Sequence, residues 1–249
     1  MTINKNSVNY LIGINIVIFL LLALTANTEL ADIFALYFFE NPKFAIWQPF
    51  THLFLHGGVA HLLFNMYALF AFGTVLENKW GKQKFLTFYF ISGLGAAFIY
   101  SVMNYIQFNS IYDELVLLGV GVEEIQRMLT SGRVSNNVLA QISEERLSEF
   151  YSVYHSSAVG ASGAIYGILI AYAITYPDAK LALIFLPAPI KARYFVPILI
   201  GADLFFGATR YSIGNIAHFA HIGGAVFGLI MMLWWRWQDK QKAASDWRV

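Results

Sequence analysis

Residues 211–235 read YSIGNIAHFAHIGGAVFGLIMMLWW, 25 positions without one charged side chain. Coiled into a helix that rises about 1.5 Å per residue, such a run crosses a hydrocarbon core about 30 Å thick. Yet it carries His218 and His221 among glycines, and polar groups in lipid need a physical reason to be there. Working outward, the same charge-free pattern recurs at 7–28, 44–76, 85–112 and 150–177, with a shorter run at 194–209 that is interrupted by Asp203. An unpaired charge at mid-bilayer costs about 2.5–3.5 kcal/mol even on the lenient insertion scale, so the charges mark where each span ends.

The composition agrees. Of 249 residues, 58% are hydrophobic and 12% charged, against about 25% charged in a soluble domain. A mean hydropathy of +0.57 excludes a disordered chain. A net charge of +1 points to no nucleic-acid partner, and the lack of cysteine excludes disulfides, thiolate catalysis and cysteine metal sites. The predicted fold is therefore an all-α polytopic membrane protein, one membrane domain over 1–249. Six transmembrane helices are expected at about 8–27, 57–77, 85–107, 160–177, 194–209 and 217–236, with a tail at 237–249. The first run is too long and too weakly preceded by charge, with Lys5 alone, to read as a cleaved signal peptide.

Counting Lys and Arg with the N-terminus inside puts eleven on the inner side and five on the outer, which predicts that both termini are cytoplasmic. The polar stretch 109–149, with seven acidic and three basic residues, reads as a helical insertion on the outer face between helices three and four. Within it, 116–122 is apolar but too short to span, and is expected to lie along the surface.

Three polar clusters fall inside the apolar runs. The first is THLFLHGGVAHLLFN at 51–65, where His61 and Asn65 share a helix face; the second is GASG at 160–163; the third is HFAHIGG at 218–224, followed by Gly228. His61 lies 16 residues before Glu77, Ser162 lies 16 before Asp178, and His221 lies 15 before Arg236. All three thus sit about 22–24 Å above the inner boundary, which suggests one site toward the outer side. Gly163 and Gly167, and Gly224 and Gly228, form GxxxG pairs that let two helices approach closely. Close approach would bring Ser162 within reach of a His221 imidazole able to take its proton, while backbone N–H groups at the helix start, His61 and Asn65 face an oxyanion. Each residue also has a plainer use. A serine between glycines packs helices, His61 and Asn65 can bond between helices, His52 and His56 can brace the outer loop, and Tyr166 can pack. There is no HExxH motif and no carboxylate beside these histidines, so neither a metal nor another cofactor is expected.

The order HLFLHGGVAHLLFN, GASG, AHIGGAVFG on spans two, four and six resembles the rhomboid family of intramembrane serine proteases, marked by HxxxN, GxSG and AHxxGxxxG. The resemblance implies Ser162 as nucleophile, His221 as general base, and His61, Asn65 and the Ser162 backbone as the oxyanion hole. Gly160, Gly163, Tyr166, Gly224 and Gly228 are then supporting residues. It implies a Ser/His dyad without a third carboxylate, transmembrane protein substrates in a lipid setting, and a multi-pass protein of a bacterial inner membrane opening to the outer side. His218 also follows an alanine, but only His221 has the glycines at the required offsets. Two departures stand out: the long acidic insertion, and Gln48 where an arginine is frequent in the family. Asp203 is open to two readings, hydrogen-bonded to neighbouring helices or held protonated by its apolar setting. The same resemblance leaves open a catalytically silent member that binds or escorts membrane clients. A channel or transporter is the remaining rival, although it calls for polar groups along a whole pore.

Overall fold

The computed structural model describes residues 7–25, 28–181, 189–209 and 215–246. Helix α1 (Ser7–Thr25) buries Ser7, Val8, Leu11 and Asn15, a stripe at four-residue spacing, and leaves Val17, Leu20, Leu21 and Leu24 outward. Its start is capped by the buried Glu77, whose carboxylate accepts from the Ser7 N–H and hydroxyl at 2.6 Å each and from the Val8 N–H at 3.0 Å. After α2 (Thr28–Phe34), a loop leads to the short α3 (Gln48–Thr51). The Gln48 side chain, fully buried, receives the Tyr37 N–H at 3.2 Å and donates to the Lys43 carbonyl at 2.7 Å, so a neutral amide braces this loop.

The second span, Val59–Trp80, consists of α4 (Val59–Ala68), one π-helical turn (Leu69–Gly73) and α5 (Thr74–Trp80). Gly81, at φ 82°, turns the chain directly into α6 (Lys82–Leu117). The third helix was expected to stop near 107, with the insertion beginning at 109; instead α6 continues for 36 residues, past Asp113 and Glu114. At about 54 Å it is far longer than the hydrocarbon is thick. No breaker intervenes before Gly119, and Phe108, Ile111 and Leu115 carry the buried stripe on into the insertion. There the Val120 N–H bonds back to the Leu115 carbonyl and the Gly119 N–H to that of Val116, with Gly119 at φ 78°, which is a Schellman stop. The expected surface-lying segment at 116–122 is therefore the last turn of α6 and its cap, with Val120 turned inward.

The insertion holds α7 (Val122–Ser131), α8 (Asn136–Leu139) and α9 (Glu144–His155), the last two capped by the Ser135 and Ser143 hydroxyls. Its residues form a core of their own, with Phe108 stacked on Phe150 at 4.7 Å and Phe38 reaching in from the α2–α3 loop at 5.1 Å. Arg146 ties α9 to α6 through Glu114 at 2.9 Å and also pairs with Glu149 at 3.1 Å.

Helix α10 (Ser162–Thr175) is buried almost all round and has only 14 residues. It is followed by a two-stranded antiparallel pair, β1 (Lys180–Leu181) with β2 (Ile190–Lys191), then by α11 (Ala192–Ala208) with Pro197 inside it, and by α12 (Asn215–Asp246). Small residues set the packing of α6, α10 and α12. A Cβ on Gly163 would lie 2.3 Å from that of Ala96, one on Gly224 only 1.8 Å from the Gly163 carbonyl oxygen, and one on Gly228 2.6 Å from the Gly167 Cα.

Among the described residues four helices are long and apolar enough to cross a membrane: Ser7–Thr25, Val59–Trp80, Lys82–Leu117 and His218–Ser245, with Ser162–Thr175 apolar but shorter. Of the six spans expected, α10 falls below that length, as does the proline-containing α11, already read as short. Charges gather at one end, where Lys84 lies 4.2 Å over the Trp235 ring and Asp178 pairs with Lys191 and Arg193. Ser162 starts α10 at the opposite end.

Candidate active site

Ser162 owes its position to the strand-like approach before it. The Ala158 N–H donates to the Leu36 carbonyl and the Gly160 N–H to that of His52, both at 2.8–2.9 Å, which fastens this segment to the stretch that runs from α2 past α3. Gly160 then takes φ 125°, a value that favours glycine. A Cβ there would strike the His61 ring at 2.8 Å and lie 3.7 Å from the Ser162 Oγ, so the ring and the hydroxyl border one small space that only glycine leaves free. Ser162 is the first helical residue of α10, where backbone N–H groups have no carbonyl one turn earlier to bond.

Across from it, the His221 Nε2 lies 2.9 Å from the Ser162 Oγ. The Tyr166 ring, one turn beyond Ser162, stacks on the His221 ring at 4.3 Å and 9°. The Gly163–Gly224 contact is what lets a side chain as short as serine reach across from α10 to α12.

On α4, the His61 Nδ1 accepts the Gly57 N–H at 3.4 Å. That bond assigns the proton to Nε2, the nitrogen that faces Gly160. Asn65, buried one turn later, donates from Nδ2 to the His61 carbonyl at 2.8 Å. This uses one of its amide hydrogens within its own helix. His52 is buried, with its Nδ1 3.0 Å from the Gln48 carbonyl, and burial pushes its pKa down to about 4 despite the carbonyl's opposing pull. The His56 ring meets the His61 ring edge-on at 5.1 Å; burial, and then the His61 charge, lower it to about 4 as well. Among the described residues neither His56 nitrogen has a hydrogen-bond partner.

One expectation is overturned. A carboxylate does stand beside His221: the Asp203 Oδ1 lies 3.3 Å from the His221 Nδ1 and 2.5 Å from the His218 Nδ1. Asp203 is buried, and no described donor reaches its Oδ2. It comes from α11, so no sequence spacing linked it to His221; in the sequence it stands out as a charge within an apolar run. His218, set aside as a decoy, is the carboxylate's nearer partner. These three residues also place one ligand atom each within 4.8 Å of one another, close enough to consider a metal ion. However, tetrahedral coordination at about 2.0–2.1 Å would hold ligand atoms about 3.3 Å apart. The 2.5 Å Asp203–His218 separation is that of a hydrogen bond.

Comparison with known proteins gives this geometry a family. A family profile described as "Rhomboid domain" matches residues 43–238. Rhomboid protease AarA of Providencia stuartii is 28% identical over 200 residues, 75% of this chain and 55% of that protein. RHOMBOID-like protein 1 of Arabidopsis thaliana is 27% identical over 192 residues, 76% of this chain and 34% of its own length. The human mitochondrial presenilin-associated rhomboid-like protein is 24% identical over 217 residues, 85% and 45% respectively. The chain thus spans about half, or less, of the length of these relatives. With a matched domain that covers most of its length and takes in all three polar clusters, the chain belongs to the rhomboid family.

Proposed function

We propose that the chain is an intramembrane serine endopeptidase that cuts other transmembrane proteins near the outer membrane boundary. One observation carries this reading: the Ser162 hydroxyl within 2.9 Å of an imidazole nitrogen, between helices of an apolar bundle. Seryl hydroxyls attack peptide carbonyls only when a neighbouring base removes their proton. In the proposed sequence His221 Nε2 takes the Ser162 proton as Oγ bonds to the scissile carbonyl carbon. The resulting oxyanion is met by N–H groups at the start of α10, by the His61 Nε2–H and by the second Asn65 amide hydrogen. His221 then protonates the departing amine, and water releases the acyl group by the reverse proton path. Neither a metal nor another cofactor takes part. The narrow space at Gly160 favours small residues at the cut, and a substrate helix with Gly or Pro unwinds more readily into the groove.

Six spans, both termini in the cytoplasm, an active site opening outward and a bacterial inner membrane complete the proposal. Of the charges behind that orientation, Lys5, Arg210 and Arg248 lie outside the described residues. Helix α11, short and weakened by Pro197, is the proposed lateral gate, and 210–216 the proposed cap, most of which lies outside the described residues.

The test is cleavage of a purified single-span substrate by the detergent-solubilised protein. Ser162→Ala and His221→Ala are each expected to abolish cleavage with unchanged thermal unfolding, and a fluorophosphonate is expected to label Ser162 only while His221 is present. Full activity in Ser162→Ala sinks the dyad. Client capture without cleavage by the wild-type protein supports the escort reading instead.

A further inference from the structure

We infer that Asp203 is a positioning residue for His221, which makes the site a serine–histidine–carboxylate array in which one carboxylate oxygen is shared by His221 and His218. The inference rests on the proposed protease activity and adds to it a third group that the family resemblance does not imply.

An imidazole that accepts the Ser162 proton at Nε2 must carry its own proton on Nδ1. Left alone, the ring exchanges between tautomers and can turn about its bonds to the backbone. In this chain the His221 Nδ1 faces the Asp203 Oδ1 at 3.3 Å, while its Nε2 faces the Ser162 Oγ at 2.9 Å. The two contacts lie on opposite sides of one ring, and Tyr166 covers its face at 4.3 Å. A carboxylate accepts and does not donate, so it selects the Nδ1–H form, the one with its lone pair aimed at the serine. When the ring becomes positively charged during attack, the same carboxylate lies beside it and keeps its negative charge; the proton stays on the imidazole.

His218 accounts for how a carboxylate remains in such a place. It lies on α12 one turn before His221 and bonds the same oxygen at 2.5 Å, so two N–H donors share the cost of burying Asp203. The groups facing this carboxylate are His218 and His221 from α12 and the Tyr166 hydroxyl from α10, with His61 approaching His221 from α4. Among the described residues no Lys or Arg joins them.

The test compares Asp203→Asn with the wild-type protein on a single-span substrate across pH. The inference predicts a kcat about ten- to a hundredfold lower with KM within about twofold, and an acid limb of kcat/KM moved to lower pH, since the imidazolium loses its counter-charge. Asp203→Glu, which keeps the charge, is expected to return the limb toward its original position. A kcat and limb equal to wild type overturn the inference, as does a loss of activity in which the limb stays in place. Should Asp203→Asn fail to fold, nitrogen-15 NMR of the wild-type histidines decides: the Nδ1–H tautomer at His221 is expected, and Nε2–H overturns it. An inactive Ser162→Ala beside a fully normal Asp203→Asn removes this inference alone, whereas an active Ser162→Ala removes the protease reading.

Discussion

Gly224 shows how little room the site leaves a single residue. Its missing side chain lets the α10 and α12 backbones touch, and a methyl there would sit 1.8 Å from the Gly163 oxygen, a backbone atom that cannot rotate aside. Gly224→Ala is expected to lower stability by about 1–3 kcal/mol or more and to abolish cleavage, because the helices must separate and the Ser162–His221 contact with them. Gly201→Ala on α11 is the control: nothing lies within 4 Å of the added methyl, so its unfolding midpoint should hold or rise. His52 supplies a pH dependence. Its pKa of about 4, against 6.5 for an ordinary histidine, means that the unfolded chain binds the proton first as the solution is acidified. Its contribution is complete above about pH 6.5 and is lost progressively down to about pH 4, at most about 3 kcal/mol. His56 shifts in the same direction. His52→Gln is therefore expected to flatten the fall in thermal stability between pH 7 and 4.5 without removing it; an equally steep fall in the variant refutes this origin.

Among the elements, the insertion α7–α9 behaves as a second core fastened to the bundle by α6. Phe108 is at its centre, 4% exposed and stacked on Phe150 and Tyr154. Phe108→Ala removes a buried aromatic worth about 3–5 kcal/mol. The effect should be local: amide exchange across α7–α9 speeds up while that of α10 and α12 is unchanged, since the membrane core is built from other side chains. Uniform acceleration over the whole chain would show that the two cores unfold as one. The Arg146 pairs are a weaker fastening, being part-exposed, and account for about 1 kcal/mol or less.

For the whole molecule, the sequence made legible whatever lies within one helix. Charge-free runs mark membrane helices, GxxxG spacing marks the α10–α12 approach, and the common depth of His61, Ser162 and His221 marks where polar groups collect. What it hid depends on how separate helices meet. Asp203 reaches His221 only once α11 is laid beside α12, and the end of α6 is set by Phe108, Ile111 and Leu115 finding partners in the insertion. That arrangement also sets the last prediction. Ser162 and His221 belong to α10 and α12, which are locked by glycines, whereas α11 carries Pro197 and brings Asp203 to the site. A transmembrane substrate is as thick as a helix and must enter from the lipid, while a small fluorophosphonate can reach Ser162 from water. Because the chain has no cysteine, one engineered cysteine on α4 and one on α11 form a cross-link free of competing thiols. Oxidation is expected to block cleavage of the transmembrane substrate at least tenfold and leave Ser162 labelling within about twofold, with reduction restoring both. Unchanged cleavage in the oxidised protein removes α11 as the gate, and joint loss of cleavage and labelling shows instead that the cross-link has displaced Asp203 and distorted the site.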